Sequence, residues 1–356
     1  MSTTFACPRC HTLFDMQGTG LRCENCRHTF PIHDRIPDFS SRPHYWNLLN
    51  EERMDVLLEI ARDRGYRYAV EKILGPFAGH YLVGYVLDDG RADFRTVLPL
   101  TQDTAVLDLG AGWGAVSCGL AADCRSVTAV DTNAKTLAFI QIRAEQSGLN
   151  NVQVAQIDPL DDALLPFPDG SFDVAILNGV LEYVGEASSG LPPDEVQRRC
   201  LREIRRVVKP GGVLYVGIEN RYGFLYFLGT RDHSKLRFTS LLPRPLANLV
   251  TRLRLHKPYR TYTYTCRGYR ELLKSAGFEA PSIYLAYPTY REPHFILPSD
   301  NEMALTYFVR RHAAHIKSRL QRSLVRTVFK LLPRRLSCRL MVRAFYCYML
   351  VAEAPR

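Results

Sequence analysis

Short apolar runs alternate with longer segments of helical periodicity between residues 104 and 220. The runs are AVLDLG, VTAVD, VQVAQID, FDVAILN and GVLYVGIEN, and each has the length of a strand and is followed by a turn signal. Strands that alternate with helices in this way are typical of a parallel sheet with helices on both faces. The pattern therefore predicts an α/β fold built on a doubly wound sheet.

Apolar positions at helical spacing also flank this region. Before it, EERMDVLLEIARDRGYRYAVEKIL places Met54, Leu57 and Ala61 on one helical face, which predicts one or two helices. After it, GYRELLKSAGF predicts a helix that ends at Gly277, and PSIYLAYP and FYCYMLVAEAP predict two further strands. The last of these is expected to close the sheet.

A basic segment, residues 309–343, separates the last two predicted strands. Its apolar residues recur every four positions, at Ile316, Leu320, Leu324 and Val328, among eleven Lys or Arg and no acid. This spacing predicts a basic amphipathic helix, inserted before the closing strand. Such a helix suits the surface of an anionic membrane, although packing on the sheet edge with solvated arginines is the alternative.

Charge is distributed unevenly along the chain. The net charge is +10, from 46 Lys and Arg against 36 Asp and Glu. Residues 233–270 hold nine basic residues and no acid, so with residues 309–343 they contribute +20 and the rest contributes −10. The C-terminal half is therefore expected to face an anionic partner. We find no secretory signal and no apolar run of about 18 residues, which predicts a cytoplasmic protein.

Four of the ten cysteines form two closely spaced pairs, CPRC and CENC, separated by twelve residues. Two such knuckles can present four thiolates to one Zn²⁺ in tetrahedral geometry, with no position left for a catalytic water. We therefore predict a structural zinc site. The predicted ligands are Cys7, Cys10, Cys23 and Cys26, with His11 or His28 as possible substitutes for one thiolate.

The residues after the second knuckle extend this motif. CPRC, CENC and then FPIHDRIPDF resemble the zinc-ribbon family typified by the activator subunit of eukaryotic tRNA, rRNA and protein methyltransferases. The resemblance covers residues 5 to 40 and implies a ribbon fold. Arg35 departs from the family pattern, because the family usually has glycine at this position.

The stretch VLDLGAGWG ends a predicted strand and opens a helix, so its glycines let the backbone approach a ligand closely. Asp108 precedes the first glycine by two residues, where it would repel a pyrophosphate but can accept a hydrogen bond from an ammonium group. Asp131 and Asp158 end the next two strands, where they can bind ribose hydroxyls and an adenine amino group. Together the three acids match S-adenosylmethionine along its length.

Residues 104 to 220 resemble the class I S-adenosylmethionine-dependent methyltransferases, close to those of quinone biosynthesis. The motifs are VLDLGAGWG, AVD, LLPFPDGSFDVAILNGVLEYV and LREIRRVVKPGGVLYV. The resemblance implies a Rossmann-like sheet, with Ile157 packing on the adenine and Asn178 bordering the methionine end. Tyr183 stands where many relatives have a histidine. The implied cofactor residues are Asp108, Gly110, Gly112, Asp131, Ile157, Asp158 and Asn178.

These features divide the chain into four parts. We predict a zinc ribbon at 1–40, a helical cap at 41–100, the S-adenosylmethionine-binding core at 101–225, and substrate-side loops, last strands and the basic helical insertion at 226–356. The cap is expected to cover the mouth of the cofactor site.

The residues that handle the methyl acceptor are expected near the strand ends. Glu182, Tyr183 and His233 are the predicted catalytic residues, and Glu219 and His294 are further candidate bases. His233 is favoured because ENRYGFLYFLGTRDHSK resembles a loop at the carboxyl edge of the sheet. Tyrosines and arginines in TYTYTCRGYR and AYPTYREPHF can stack a sugar or base, or can serve as core residues.

Three functions remain open at this point. The first is methyl transfer to a small-molecule or glycolipid acceptor, for instance a lipid-linked sugar, at the inner face of the membrane. The second is RNA methylation through the ribbon, and the third is a non-catalytic partner that keeps the fold. RNA binding predicts a basic ribbon, but residues 1–40 hold four Arg, no Lys and four acids. All the residues expected to bind the cofactor are present, which disfavours a non-catalytic partner. The first function is therefore favoured.

Overall fold

The computed structural model describes residues 4–17, 20–41, 45, 48–161, 164–187, 190–316 and 319–356. Its N-terminal part is a small antiparallel sheet of four strands, paired in chain order. Arg35 lies in the turn between the third and fourth strands with φ +67°, a left-handed conformation that favours glycine. Glycine would adopt this conformation without the strain that Arg35 carries. The strands are β1 (Asp15–Gln17), β2 (Gly20–Arg22), β3 (Thr29–His33) and β4 (Ile36–Pro37).

Two helices follow the ribbon, as predicted: α1 (Glu51–Arg64) and α2 (Tyr66–Leu87). Asn50 caps α1, because its side chain accepts a hydrogen bond from the backbone N–H of Arg53 at 3.1 Å. Apolar residues of both helices are buried against Trp113 and Phe139 of the core region. A 3₁₀ segment, Asp89–Val97, then leads into the large sheet.

The large sheet has eight strands in the order β11-β10-β12-β9-β8-β5-β6-β7. The five strands from β5 to β9 are parallel, and β12 runs antiparallel to both β9 and β10. The doubly wound sheet is confirmed, and all predicted strands are present. The strands are β5 (Ala105–Leu109), β6 (Ser126–Asp131), β7 (Val152–Gln156), β8 (Phe172–Asn178), β9 (Val208–Glu219), β10 (Ser282–Thr289), β11 (Glu292–Pro298) and β12 (Cys347–Glu353).

Helices connect these strands and complete the layers. Parallel neighbours require crossover connections, and the amphipathic helix α5 illustrates one, since Val196, Leu201 and Ile204 are buried against the sheet. The remaining helices are α3 (Ala115–Leu120), α4 (Ala134–Gln146), α5 (Pro193–Val207), α6 (Phe224–Phe227), α7 (Arg244–Leu255), α8 (Cys266–Ser275), α9 (Glu302–His312), α10 (Arg319–Leu331) and α11 (Arg334–Ala344).

The prediction of one continuous basic helix over 309–343 is wrong, because the segment forms several shorter helices. The segment is divided among the end of α9, a 3₁₀ turn, α10 and α11. Pro333 directly precedes α11 and has no N–H to continue the hydrogen-bond pattern of α10. Ile316 and Val328 of the predicted stripe are partly buried, whereas the side chains of Leu320 and Leu324 lie outside the described residues. The strand β11 was not predicted.

The ribbon packs on the β7 edge of the large sheet. Asp38 bridges Gln156 in parallel register, and the N–H of Phe39 donates to the carbonyl of Gln156 at 2.9 Å. Phe5 contacts both Phe39 and Phe167, with ring centroids 5.3 and 5.7 Å apart, so an aromatic cluster joins the ribbon to the core. No helix in the described part of the chain is both long and apolar enough to cross a membrane.

Candidate functional site

The glycine turn between β5 and α3 forms one side of the site. Gly110, Gly112 and Gly114 have φ values of +69°, +54° and +73°, which a residue with a side chain adopts at a cost. A Cβ at Gly110 would lie 2.8 Å from a methyl carbon of Val180, whereas a Cβ at Gly112 would meet nothing within 4 Å. The turn therefore packs closely against Val180 at Gly110 and has open space at Gly112, where a ligand can approach the backbone.

Two acids hold this turn in place. Asp131, at the end of β6, accepts hydrogen bonds from the N–H of Gly112 at 2.8 Å and from the N–H of Asn133 at 3.1 Å. Asp108 is buried in β5 and accepts a hydrogen bond from the Ser117 hydroxyl at 2.5 Å. Burial raises the pKa of Asp108 to about 6, although the Ser117 hydrogen bond lowers it.

The far side of the site lies beside the ribbon. Ile157, which is buried, and Asp158 follow the end of β7. An Asp158 carboxylate oxygen accepts a hydrogen bond from the N–H of Ser41 at 2.9 Å, and Ser41 belongs to the segment that leaves the ribbon. The sequence did not indicate this contact, because 117 residues separate the two positions.

Asn178 ends β8 at the point where the strand order reverses, which is where ligands bind in open α/β sheets. Both polar atoms of its side-chain amide are buried and have no hydrogen-bond partner among the described residues. Unsatisfied buried amides are costly, so their occurrence at this edge fits a position that hydrogen-bonds a ligand. The seven predicted cofactor residues thus all lie along the carboxyl ends of β5 to β8.

The three residues predicted to be catalytic come together at the end of β9. His233 Nε2 lies 3.1 Å from a carboxylate oxygen of Glu219 and 3.9 Å from Oε1 of Glu182. His233 Nδ1 lies 3.0 Å from the Tyr183 hydroxyl. Asp232 positions the histidine, because its side chain accepts the N–H of Ser234 at 2.8 Å and so tightens the loop. We call Glu182, Glu219 and His233 the carboxylate–histidine cluster.

Further contacts fix the orientation of Glu219. Its Oε1 accepts hydrogen bonds from the Tyr290 hydroxyl at 3.1 Å and from Arg291 at 3.2 Å, which leaves Oε2 for His233. By contrast, neither carboxylate oxygen of the buried Glu182 has a hydrogen-bond partner among the described residues. One side of the cluster is therefore satisfied, and the other is not.

The pKa values of the two glutamates in the cluster differ in the same way. Burial raises the pKa of Glu182 to about 7, and the nearby Glu219 adds to this effect. Burial also opposes ionisation of Glu219, but the hydrogen bond and charge of His233 lower its pKa overall. The pKa of His233 rises to about 9, because the Glu219 hydrogen bond and charge outweigh burial. Perturbed groups of this kind concentrate at functional sites.

Other candidate residues lie outside the cluster. His294 is on β11, where its side chain is exposed and lies 3.5 Å from Glu292. Of the tyrosines predicted either to stack a ligand or to fill the core, Tyr269 and Tyr290 are fully buried, and the Tyr269 hydroxyl donates to the Glu219 carbonyl at 2.8 Å. Arg291, which the sequence placed with these tyrosines as a candidate ligand-binding residue, instead lies 3.2 Å from a carboxylate oxygen of Glu219.

The four knuckle cysteines also come together. Their sulfur atoms lie within 4.8 Å of one another, with Cys7 and Cys26 at 3.6 Å and Cys10 and Cys23 at 3.4 Å. Four thiolates about 2.3 Å from one zinc ion would be about 3.8 Å apart, so the arrangement fits the metal. His28 packs instead against Phe30, with ring centroids 4.6 Å apart.

Comparison with known proteins agrees with this geometry. Residues 107–216 match the family described as a methyltransferase domain. The chain is 28% identical over 179 residues to the ubiquinone biosynthesis O-methyltransferase of Paracidovorax citrulli, which covers 50% of this chain and 68% of the relative. It is 28% identical over 165 residues to the demethylmenaquinone methyltransferase of Clavibacter sepedonicus, which covers 46% of this chain and 51% of the relative.

Among solved structures, the Haemonchus contortus phosphoethanolamine N-methyltransferase 2 in complex with S-adenosyl-L-methionine matches with a TM-score of 0.43 and 15% identity. The match covers 84% of this chain and 60% of that one. Fold, family match and relatives together show that the chain carries a class I methyltransferase domain that depends on S-adenosylmethionine. Within that class, the two relatives are named a ubiquinone biosynthesis O-methyltransferase and a demethylmenaquinone methyltransferase.

Proposed function

We propose that this protein transfers a methyl group from S-adenosylmethionine to a hydroxyl of a small-molecule acceptor bound beside the carboxylate–histidine cluster. The observation that carries the proposal is Glu182, which is buried, lies four residues after Asn178 at the end of β8, and has two carboxylate oxygens without a hydrogen-bond partner in the described chain. An acceptor hydroxyl would satisfy such a carboxylate. The two relatives named for quinone biosynthesis support a small-molecule acceptor.

The cofactor residues fit S-adenosylmethionine. We assign the open space at Gly112 and the Asp131 carboxylate to the ribose, and Ile157 and Asp158 to the adenine. Asp108 would accept a hydrogen bond from the methionine ammonium, directly or through water. The Asn178 amide would border the methionine end. When bound, the cofactor supplies a methyl group activated by the sulfonium.

The protein's own residues then position the acceptor and remove its proton. As the acceptor oxygen bonds to the methyl carbon, the carbon–sulfur bond breaks and its electron pair stays on sulfur. Glu182 takes the hydroxyl proton, and a pKa of about 7 suits a general base near neutral pH. Glu219 positions His233, and His233 in turn positions the Glu182 carboxylate. In-line geometry of this kind lowers the barrier mainly through positioning.

The acceptor is proposed to be lipid-linked, for instance a sugar carried by a lipid, with peripheral contact to the inner face of the membrane through residues 309–343. In this segment Leu331, Leu336 and Leu340 are 71%, 43% and 40% exposed among arginines. Val325 and Phe329, however, pack partly on the end of α9, so only part of the segment is available. Exposed leucines surrounded by basic residues favour an anionic bilayer surface.

Extracts test the acceptor directly. The protein is incubated with methyl-labelled cofactor and separate extracts of metabolites, glycolipids and RNA, and mass spectrometry identifies labelled products. We expect label in the glycolipid fraction and co-sedimentation of the protein with anionic but not neutral vesicles, reduced by Arg319→Glu and Arg326→Glu. Label in RNA alone would contradict the proposed acceptor, and equal recovery in the supernatant with both lipids would contradict membrane contact.

We also propose one structural zinc per chain, bound by Cys7, Cys10, Cys23 and Cys26. Cys7→Ser is expected to remove the metal and to lower the free energy of unfolding by about 3 kcal/mol or more, because the ribbon folds around its ion. Metal analysis and thermal unfolding measure the two effects. Cys124→Ser serves as the control, since Cys124 lies outside the ribbon and its sulfur donates to the backbone carbonyls of Leu120 and Ser126, which a serine hydroxyl can also do. Zinc well below half an equivalent in the wild type would refute the site.

Cofactor affinity is expected to depend on pH through Asp108. Its pKa of about 6 means that the carboxyl group is ionised above pH 6 and neutral below it. An ionised carboxylate attracts the methionine ammonium, so affinity should fall up to about tenfold per pH unit below 6. Calorimetry between pH 5 and 8 measures this. Asp108→Asn should bind more weakly at pH 8 and lose the pH dependence, whereas a flat wild-type profile would contradict the assignment.

A further inference from the structure

Each member of the carboxylate–histidine cluster turns one potential ligand atom toward the same point. The atoms are Nε2 of His233, Oε2 of Glu219 and Oε1 of Glu182, and one ligand atom from each residue lies within 4.8 Å of the other two. Ligands about 2.1 Å from one cation are about 3.0 to 3.5 Å apart. The separations of 3.1 and 3.9 Å from Nε2 to the two carboxylates are close to this range.

The surrounding contacts decide which atoms would face a cation. The Tyr183 hydroxyl, 3.0 Å from Nδ1, can accept the N–H of Nδ1, so Nε2 is the nitrogen that would give up its proton and bind a cation. Tyr290 and Arg291 hold Oε1 of Glu219, so Oε2, which faces Nε2 of His233, is the oxygen that would bind a cation. Outer contacts of this type orient the ligands in known metal sites.

The unsatisfied Glu182 is the second, independent indication. It is fully buried, and neither oxygen has a hydrogen-bond partner in the described part of the chain. Two carboxylates in one buried site repel each other, and of the two only Glu219 forms an ion pair with Arg291 among the described residues. A doubly charged cation would neutralise the two carboxylates. It would also stabilise the negative charge that develops on an acceptor oxygen.

We propose that Glu182, Glu219 and His233 bind one divalent cation, with Mn²⁺ as a matching ion for two carboxylates and an imidazole. The inference rests on the proposed function, because the cation would hold the acceptor hydroxyl at a position that the three protein ligands leave open. Coordination makes that hydroxyl more acidic. Its proton passes to the carboxylate oxygen of Glu182 that does not bind the cation, while the oxygen–carbon bond forms and the carbon–sulfur bond breaks.

Binding of Mn²⁺ to the zinc-loaded full-length chain tests the cation directly. The electron paramagnetic resonance signal of free Mn²⁺ is measured during titration, without acceptor. We expect one Mn²⁺ per chain and a loss of affinity of about 100-fold in Glu182→Gln and His233→Asn. Tyr183→Phe should weaken binding by about 10-fold through the histidine. Glu186→Gln, an exposed carboxylate on the same turn, is the matched control and should bind as the wild type does.

Two outcomes would overturn the cation site: no binding at millimolar Mn²⁺, or equal binding in the wild type and Glu182→Gln. Circular dichroism and S-adenosylmethionine affinity show whether each variant is folded. If no cation binds but Glu182→Gln still loses methyl transfer, the cation inference fails and the proposed function stands. If Mn²⁺ binds as expected but Glu182→Gln keeps full methyl transfer, the placement of the acceptor at this cluster fails instead.

Discussion

Replacing Gly112 with valine is expected to weaken S-adenosylmethionine binding by at least about 100-fold, which corresponds to about 2.7 kcal/mol. The valine side chain would enter the open space beside Asp131, where a Cβ at present meets nothing within 4 Å. We assign that space to the cofactor, so the substitution would exclude the ligand and leave the surrounding protein contacts intact. Calorimetric titration of the variant measures the loss.

Gly148 provides a matched control for this substitution. It lies just after α4 with φ +68°, and a Cβ there would also meet nothing within 4 Å. Gly148→Val therefore introduces a similar backbone strain of roughly 1 to 3 kcal/mol away from the glycine turn. Cofactor affinity should stay within about threefold of the wild type. Equal weakening in both variants would attribute the effect to strain, and an unchanged affinity in Gly112→Val would place the cofactor elsewhere.

Replacing Glu219 with glutamine is expected to lower the rate of methyl transfer by about 100-fold or more, because His233 loses the charge that positions it beside the general base Glu182. This is within the range for impaired general base catalysis. The amide can still accept hydrogen bonds from Tyr290 and Arg291, but it no longer carries the charge that pairs with His233. The fold should therefore survive while the cluster loses its function. Transfer of label to the acceptor found in the extracts measures kcat and KM.

Cofactor affinity distinguishes a specific loss of methyl transfer from misfolding of the variant. Glu219→Gln should bind S-adenosylmethionine within about threefold of the wild type, because we assign Glu219 to the acceptor side of the edge. Glu186→Gln should retain the wild-type rate, since its carboxylate is exposed. A Glu219→Gln rate within about threefold of the wild type would remove the cluster from the reaction.

Local patterns were sufficient to predict the α/β fold and its methyltransferase class. Apolar runs of strand length with turn signals predicted all five parallel strands, because a strand buried on both faces has few polar positions. The glycines and Asp108 of VLDLGAGWG, together with Asp131 and Asp158 at the ends of the next two strands, predicted the cofactor class, since each acid lies near the end of its strand at a position that the sequence pattern locates. The paired cysteines likewise predicted a four-thiol cluster, which the structure contains. The roles of individual site residues remain predictions.

Other features depended on contacts between distant parts of the chain. The sequence identified Glu182, Tyr183 and His233 separately, but only the fold placed His233 Nε2 3.1 Å from Glu219, beside Arg291. It also showed that the ribbon reaches Asp158 and that Pro333 separates two helices in the basic segment. Hydrophobic periodicity reflects which face of a helix or strand is buried. It therefore allows the helices and strands, and the way they form layers, to be predicted from the sequence. Side-chain convergence depends on how strand ends and loops meet in space, and no short pattern in the sequence contains that information.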